Sequence, residues 1–218
     1  STYYINSMSR EGIRDLVSQY NSHQNIHIDD EVLLENIISD LKVLNLHRTP
    51  LNCITLLKVS EIDFDDGPVN RTEVIKKMLF LMFNTEDVAQ YKRRPDLKDC
   101  EHVLGWYSEK LLRESKLEFT RENFLSSINS FCTNNMMDID TQVLFDILVA
   151  NNIFFKVEHK FRFKFTYWVM YFAAQRMHKN LDFRNFIFED KRYASYPELI
   201  EFYTGIDRNR DDALRILI

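Results

Sequence analysis

The run from Asp138 to Ala174 reads DIDTQVLFDILVANN, IFFKVEHKFRFKF and TYWVMYFAA, and its apolar period changes twice. In the first third, Val143, Leu144, Ile147 and Leu148 recur at helical spacing. Asp140 stands just ahead of them, where a short carboxylate caps a helix by accepting from its first free amides. The middle third alternates. Phe161, Phe163 and Phe165 fall on one side of a strand, with Lys160, Arg162 and Lys164 on the other. Ile153 to Val157 supplies a partner strand, and Glu158-His159 a tight turn. The last third regains the helical period, with Tyr167, Tyr171 and Ala174 on one line and Trp168 and Phe172 beside it.

Helix, hairpin, helix is how a winged-helix unit ends. Thr120 to Cys132, with Phe124, Ile128 and Phe131 on one face, supplies a helix ahead of it. The expected fold class is mainly α: a helical bundle followed by a winged-helix domain with one β-hairpin and C-terminal helices. Composition points the same way. A chain of 218 residues can bury a substantial core, and 45% hydrophobic residues with 13% aromatics mark it as folded. Only 4 Gly and 4 Pro leave few turns to make, which favours helices.

Upstream, Ser9 caps a short helix to Tyr20 whose stripe is Ile13, Leu16, Val17 and Tyr20. Asp29 caps a second, with Val32, Leu33, Ile37, Leu41 and Leu44 as its stripe. Pro50 opens a third, at a position where the missing amide costs nothing, and Leu51, Ile54, Leu57 and Lys58 follow. Residues 1–60 therefore read as a small helical domain, 61–110 as a helical linker region, 111–178 as the winged helix, and 179–218 as the start of a further helical sensor or repeat region.

Within the linker, EIDFDDGPV at 61–69 invites a calcium reading that its spacing denies. With Gly67 as the sixth loop residue, the first and third ligands would be Ile62 and Phe64. It is a solvated acidic turn. Asn70 and Glu73 start the helix VIKKMLFLMF, and CEHVLGWYSEKLLRES forms another. Beyond the winged helix, LDFRNFIFED is a short apolar helix. Ser195 to Glu198 reads as a capping box with proline in the first turn, opening a helix that Gly205 ends. The final DDALRILI breaks off inside its apolar pattern, so the chain is expected to be a fragment of a longer protein.

Candidate chemistry is sparse. The glycines at 12, 67, 105 and 205 are isolated, so no phosphate-cradling loop is present. Neither GxSxG, HExxH nor CxxC occurs, and His23, His27, His47, His102, His159 and His178 show no ligand spacing. Cys100 and His102 sit two apart with no further ligand near them. Catalysis by this chain alone, metal binding and a cofactor of its own are not expected. Cys53, Cys100 and Cys132 follow no paired pattern, which suits reduced, buried thiols. With no signal peptide before the first helix and no apolar run near the ~20 residues of a membrane span, a cytoplasmic protein is expected, with no membrane partner.

A net charge of −5 gives no global footprint for nucleic acid. In a DNA-binding winged helix the helix before the wing enters the major groove; here it carries Asp138, Asp140 and Asp146. Phosphate contacts supply most non-specific affinity, so nucleic acid is an unfavoured partner. The basic row Lys160, Arg162 and Lys164, with Tyr203, Asp207 and Arg208 further on, is the candidate surface for protein partners.

The stretch FRFKFTYWVMYFAA resembles the F-x-F-x-H-x-x-x-x-E-[FY]-[FL]-A-A segment closing the winged-helix domain of STAND-class signalling NTPases, the NACHT and AP-ATPase group. Phe161 and Phe163 match its aromatic strand positions; Tyr171, Phe172, Ala173 and Ala174 match its helix. HRTPLNCITLL is similar to the proline-bearing helix start that leans on adenine in that class, with Pro50 as the matching residue. The run PELIEFYTGIDR is similar to bacterial members. The resemblance implies an upstream P-loop core in the same polypeptide, ATP or ADP bound there, and homo-oligomerisation on activation, plausible in antiviral defence. The winged-helix histidine that senses phosphate falls at Phe165, which donates no hydrogen bond, and the motif's glutamate falls at Met170. A pivot for the implied switch is expected between Leu104 and Thr120. The alternatives from other classes are a stand-alone helical adaptor for a protein partner and, less favoured, a DNA-binding regulator.

Overall fold

The computed structural model describes residues 7–24, 29–43, 46–62, 70–85, 95–207 and 215. Among them the chain is mainly helical, with ten helices and one antiparallel pair of strands. It divides into two compact units, Ser1–Leu81 and Met82–Ile218. The acidic turn at 61–69, save for the helical residues 61 and 62, lies outside the described residues. So do Leu44, His27, Arg208 and most of the last helix expected from Asp207.

The first unit holds α1 (Arg10–Gln24), α2 (Asp30–Val43), α3 (Pro50–Ile62) and the greater part of α4 (Arg71–Thr85). The caps are the expected ones. Ser9 Oγ accepts from the Gly12 amide at 3.1 Å, Asp29 from Glu31 at 2.8 Å, and Asn70 from Glu73 at 3.0 Å. Each such cap is worth ~1 kcal/mol to its helix. Two stripes depart from the expectation. In α2, Leu33, Ile37 and Leu41 are buried as drawn, but Leu34 joins them and Val32 is 49% exposed. In α3, Asn52, Cys53, Thr55, Leu56, Leu57 and Val59 are all buried while Ile54 reaches the surface. Both α1 and α2 pack on α3. A helix covered from two sides loses the one-sided pattern that sequence reading relies on. Exposed pairs Arg14–Glu31 (2.7 Å) and Arg10–Glu35 link α1 to α2, and water screens both of them.

The second unit is built on α5 (Leu97–Arg113) and α8 (Thr166–Lys179), its most closely associated helices. They meet where side chains are small: Gly105 on α5 against α8, which also buries Ala173 and Ala174. Buried Glu109 locks the crossing, accepting from Arg176 Nε at 2.7 Å and Arg113 Nε at 2.9 Å. Arg113 reaches on to Asp182 at 2.7 Å and lies over the Phe186 ring, 4.4 Å from its centroid. This tie holds α9 (Leu181–Phe188), while α10 (Pro197–Ile206) packs on α8.

Between α5 and α8 in sequence come α6 (Arg121–Asn134), α7 (Thr141–Ala150), β1 (Phe154–Val157) and β2 (Lys160–Phe163). Asp140 caps α7 as expected, at 3.0 Å, and Thr120, read as the first residue of its helix, is the cap of α6, at 3.2 Å. The strands pair with register Phe154–Phe163, Phe155–Arg162, Lys156–Phe161 and Val157–Lys160, leaving Glu158-His159 as a two-residue turn. Glu158 takes φ 56°, a left-handed backbone that usually falls to glycine or asparagine. A further bridge joins Phe119 to Phe161, whose amides and carbonyls exchange at 2.7 and 2.9 Å.

Rings fill the space enclosed. Phe154 meets Phe119, Phe124, Phe145 and Phe163 at centroid distances of 5.0, 5.2, 5.7 and 4.9 Å, with tilted or edge-on planes. Such pairs add ~0.5–1.5 kcal/mol each beyond area burial.

Three local expectations are corrected. Ser195 does not cap α10: Tyr196 holds that position with no side-chain bond, because a 3₁₀ segment, Glu189–Ser195, kinked at Asp190 and Lys191, runs into it. Gly205 does not end the helix, which continues through Ile206 without any positive-φ glycine. Residues from Leu104 to Arg113 are no loose pivot, since they form the buried half of α5 against α8.

Candidate interaction surface

The hairpin has two unlike faces. Phe154 and Phe163 point into the ring cluster, 2% and 7% exposed. On the other face the register sets Phe155 beside Arg162 and Val157 beside Lys160. Phe155 is 44% exposed and Val157 37%, so two apolar side chains stand in water next to two cations. Cross-strand neighbours lie ~5 Å apart, which makes the four residues one patch.

The cations on this patch are weakly committed. Lys160 pairs with exposed Glu118 at 3.2 Å. Arg162 has no acidic partner among the described residues. From Phe154 to Phe165 the sequence carries Lys156, Lys160, Arg162 and Lys164 against Glu158 alone, a local charge of +3 in a chain of −5. The patch also borders an open edge. Phe161 spends both backbone groups on Phe119, so ladder alternation places the β1–β2 bonds at Phe155–Arg162 and Val157–Lys160. Lys156 consequently turns its amide and carbonyl away from β2, with no backbone partner among the described residues. An exposed strand edge of this kind is a template for an added strand.

The expected site residues divide. Lys160 and Arg162 lie together on the patch. Lys164 follows the end of β2, half-buried, its ammonium 5.7 Å from the Phe165 ring centroid. Phe165 is the N-cap residue of α8 and stacks on Tyr167 at 5.3 Å and 10° between planes. Pro50 is exposed at the first position of α3, behind the Thr49 hydroxyl that accepts from Asn52 at 3.2 Å. Asp207 is the half-buried C-cap of α10, and Arg208 lies outside the described residues. Tyr203 is corrected. It is 0% exposed, with His178 and Phe188 rings about it and Arg184 Nη1 donating to its hydroxyl at 3.4 Å. It belongs to the packing of α10 and offers no surface. Phe155 and Val157 were missed as surface groups; the signal was available, because a two-residue turn at Glu158-His159 fixes their opposite numbers.

The acids of α7 have structural work. Asp140 caps the helix, and Asp146 lies 3.8 Å from Arg121, which also donates to Gln142 at 3.0 Å. The thiols are shielded. Burial pushes Cys53 up to about 11 and raises Cys100 and Cys132 as well. Few thiolates form near neutral pH, so nucleophilic use is unsuited. Burial lowers His102, with Arg176 and Lys179 adding to the effect, and its ring lies 5.7 Å from that of Phe131. Burial raises Tyr171 well above its ordinary range, and Glu101 adds to this by accepting its proton at 2.6 Å. Among the described residues no group of three or more His, Cys, Asp or Glu is placed to hold a metal ion, and no helix is long and apolar enough to cross a membrane.

A scan of protein-family models returns no match for this chain, and a search of curated proteins returns none either, so its functional reading rests on the residues and geometry above.

Proposed function

We propose that this chain is a non-catalytic regulatory segment of a STAND-type signalling NTPase, in which residues 97–179 act as a winged-helix module that moves as one body. The observation that supports the reading most is element order. Helix α5, the bridging residue Phe119, helices α6 and α7, the hairpin β1–β2 and helix α8 follow one another in winged-helix sequence around a single ring cluster. The YFAA residues that carry the resemblance, Tyr171 to Ala174, are buried in α8 at its junction with α5. A module held by Gly105, Glu109 and Arg176 transmits rotation without deforming, which a switch between two packings requires.

In this reading the hairpin patch docks protein, within the same polypeptide or in a neighbouring copy. Exposed Phe155 and Val157 offer nothing to a phosphate backbone but suit an apolar contact, while Lys160 and Arg162 select an acidic neighbour. Nucleotide belongs to the P-loop core that the resemblance implies upstream. Phe165 in place of the histidine leaves the latch on ADP to other residues.

The test starts with the reading frame upstream of Ser1, where a GxxxxGK[ST] loop is expected. In the longer polypeptide, Lys160→Glu with Arg162→Glu should change ATP-dependent oligomerisation at least ~10-fold while leaving folding within ~0.5 kcal/mol. The isolated chain should bind ATP no better than millimolar by calorimetry. An upstream frame without a P-loop, or micromolar ATP binding by residues 1–218, would sink the proposal.

A further inference from the structure

Strand β1 has β2 on one side and, among the described residues, no strand on the other. Two contacts fix which of its backbone groups point outward. The Ile153 carbonyl accepts from the Lys164 amide at 2.8 Å, so Ile153 faces β2. Phe161 exchanges both its bonds with Phe119, which sends those of β1 to Phe155–Arg162 and Val157–Lys160. Phe154 and Lys156 alternate with these residues and turn their amides and carbonyls the other way. Phe154 is buried, but Lys156 is exposed, and neither its amide nor its carbonyl has a partner among the described residues. An outward pair of this kind is what an extended peptide bonds when it adds to a sheet.

The side chains say what such a peptide would carry. In an antiparallel addition, the residue opposite Lys156 shares the face of its ammonium. That ammonium lies 6.0 Å from the Phe161 ring centroid and has no carboxylate partner among the described residues, so an acid fits opposite it. The residues on either side fall beside Phe155 and Val157, both exposed, and apolar side chains suit them. Acid alternating with apolar residue is the resulting pattern. Charge weighs against a second copy of the same edge. Counting Glu118 with Glu158, the hairpin still sets four cations against two acids. Two such hairpins joined edge to edge would repel, and a lysine on an open edge is a usual guard against that pairing. The same lysine admits a strand of opposite charge.

We propose that the outer edge of β1 is a docking site for an extended acidic segment of a separate partner protein, added as a further strand that bonds the Lys156 backbone and alternates acidic with apolar side chains. Docking here goes beyond the regulatory reading and does not rest on it: a P-loop upstream, or its absence, leaves the edge as it is.

The probe is a blocked, fluorescently labelled heptapeptide of alternating valine and glutamate, titrated with the full chain and followed by anisotropy. Saturable binding is expected, with slower hydrogen exchange at the Lys156 amide in the complex. Lys156→Glu is an exposed change that breaks no ladder bond, so the melting temperature should hold while affinity falls ~10-fold or more. Methylating the glutamate nitrogens of the peptide, which would donate to β1, should cost a similar factor of ~10, and methylating the valine nitrogens, which point away, should not. Equal binding by a scrambled peptide of the same composition would reduce the site to charge alone. Self-association of the chain, with the Lys156 amide protected at high concentration, would give the edge to a second copy. Either of these results, or no saturation at all, would overturn the assignment.

Discussion

Replacing Gly105 by alanine tests the α5–α8 contact on which the second unit depends. In an unobstructed helix the change stabilises by ~0.5–1 kcal/mol, because glycine gives up more backbone freedom on folding. Here the added Cβ would lie 3.1 Å from the Phe172 carbonyl oxygen and 3.2 Å from Arg176 Cβ. The first of these belongs to the backbone of a helix buried on several sides and has little room to yield. Moving the second disturbs the 2.7 Å bond from Arg176 to Glu109. Overpacking of this order costs ~1–3 kcal/mol, so the sign reverses and a net loss of ~1–2 kcal/mol is expected. For a chain of 218 residues that corresponds to a fall of ~2–8 °C in melting temperature. The chain's two tryptophans, Trp106 and Trp168, lie on α5 and α8, so urea unfolding followed by their fluorescence reads the relevant unit. A stabilised Gly105→Ala protein would mean that the two helices do not approach as described, and the rigid-module argument would fall with it.

Other consequences follow from the same structure. Glu109→Ala strands two guanidiniums at the crossing. Since Arg113 is a third exposed and keeps Asp182, the loss should be ~2–3 kcal/mol, with Glu109→Gln nearer half of that in the same assay. Alkali should unfold the chain early. Cys53, Cys100, Cys132, Tyr107 and Tyr171 all bind their protons more tightly folded than unfolded. The unfolded chain therefore ionises first, and stability that is complete below about pH 9 declines as pH rises toward 11 and beyond. Urea midpoints by circular dichroism at pH 8 and pH 10.5 check this. Cys53→Ala should flatten part of the slope in the first unit, and an unchanged midpoint would contradict the burial of these groups.

Local structure was legible in the residues wherever a signal is carried by near neighbours. Asp140 ahead of its helical run, Thr120 ahead of its own, and strict alternation through Lys160–Phe163 each set a short-range preference that no distant contact had to supply. What neighbours cannot encode is which faces meet. The stripe drawn on α3 failed because two helices cover it, and Tyr203 was taken for surface because its polar tip hides among rings from α8 and α9. Ser195 lost its capping role to a kink at Asp190 and Lys191, a backbone event without a side-chain signature. The pairing of Gly105 with Phe172, the bond from Arg176 to Glu109, and that from Lys110 to Ser127 join residues 17 to 67 positions apart. Such contacts arise from packing helices at van der Waals distance. The sequence determines which side chains are available for them, and only the tertiary arrangement decides which ones touch.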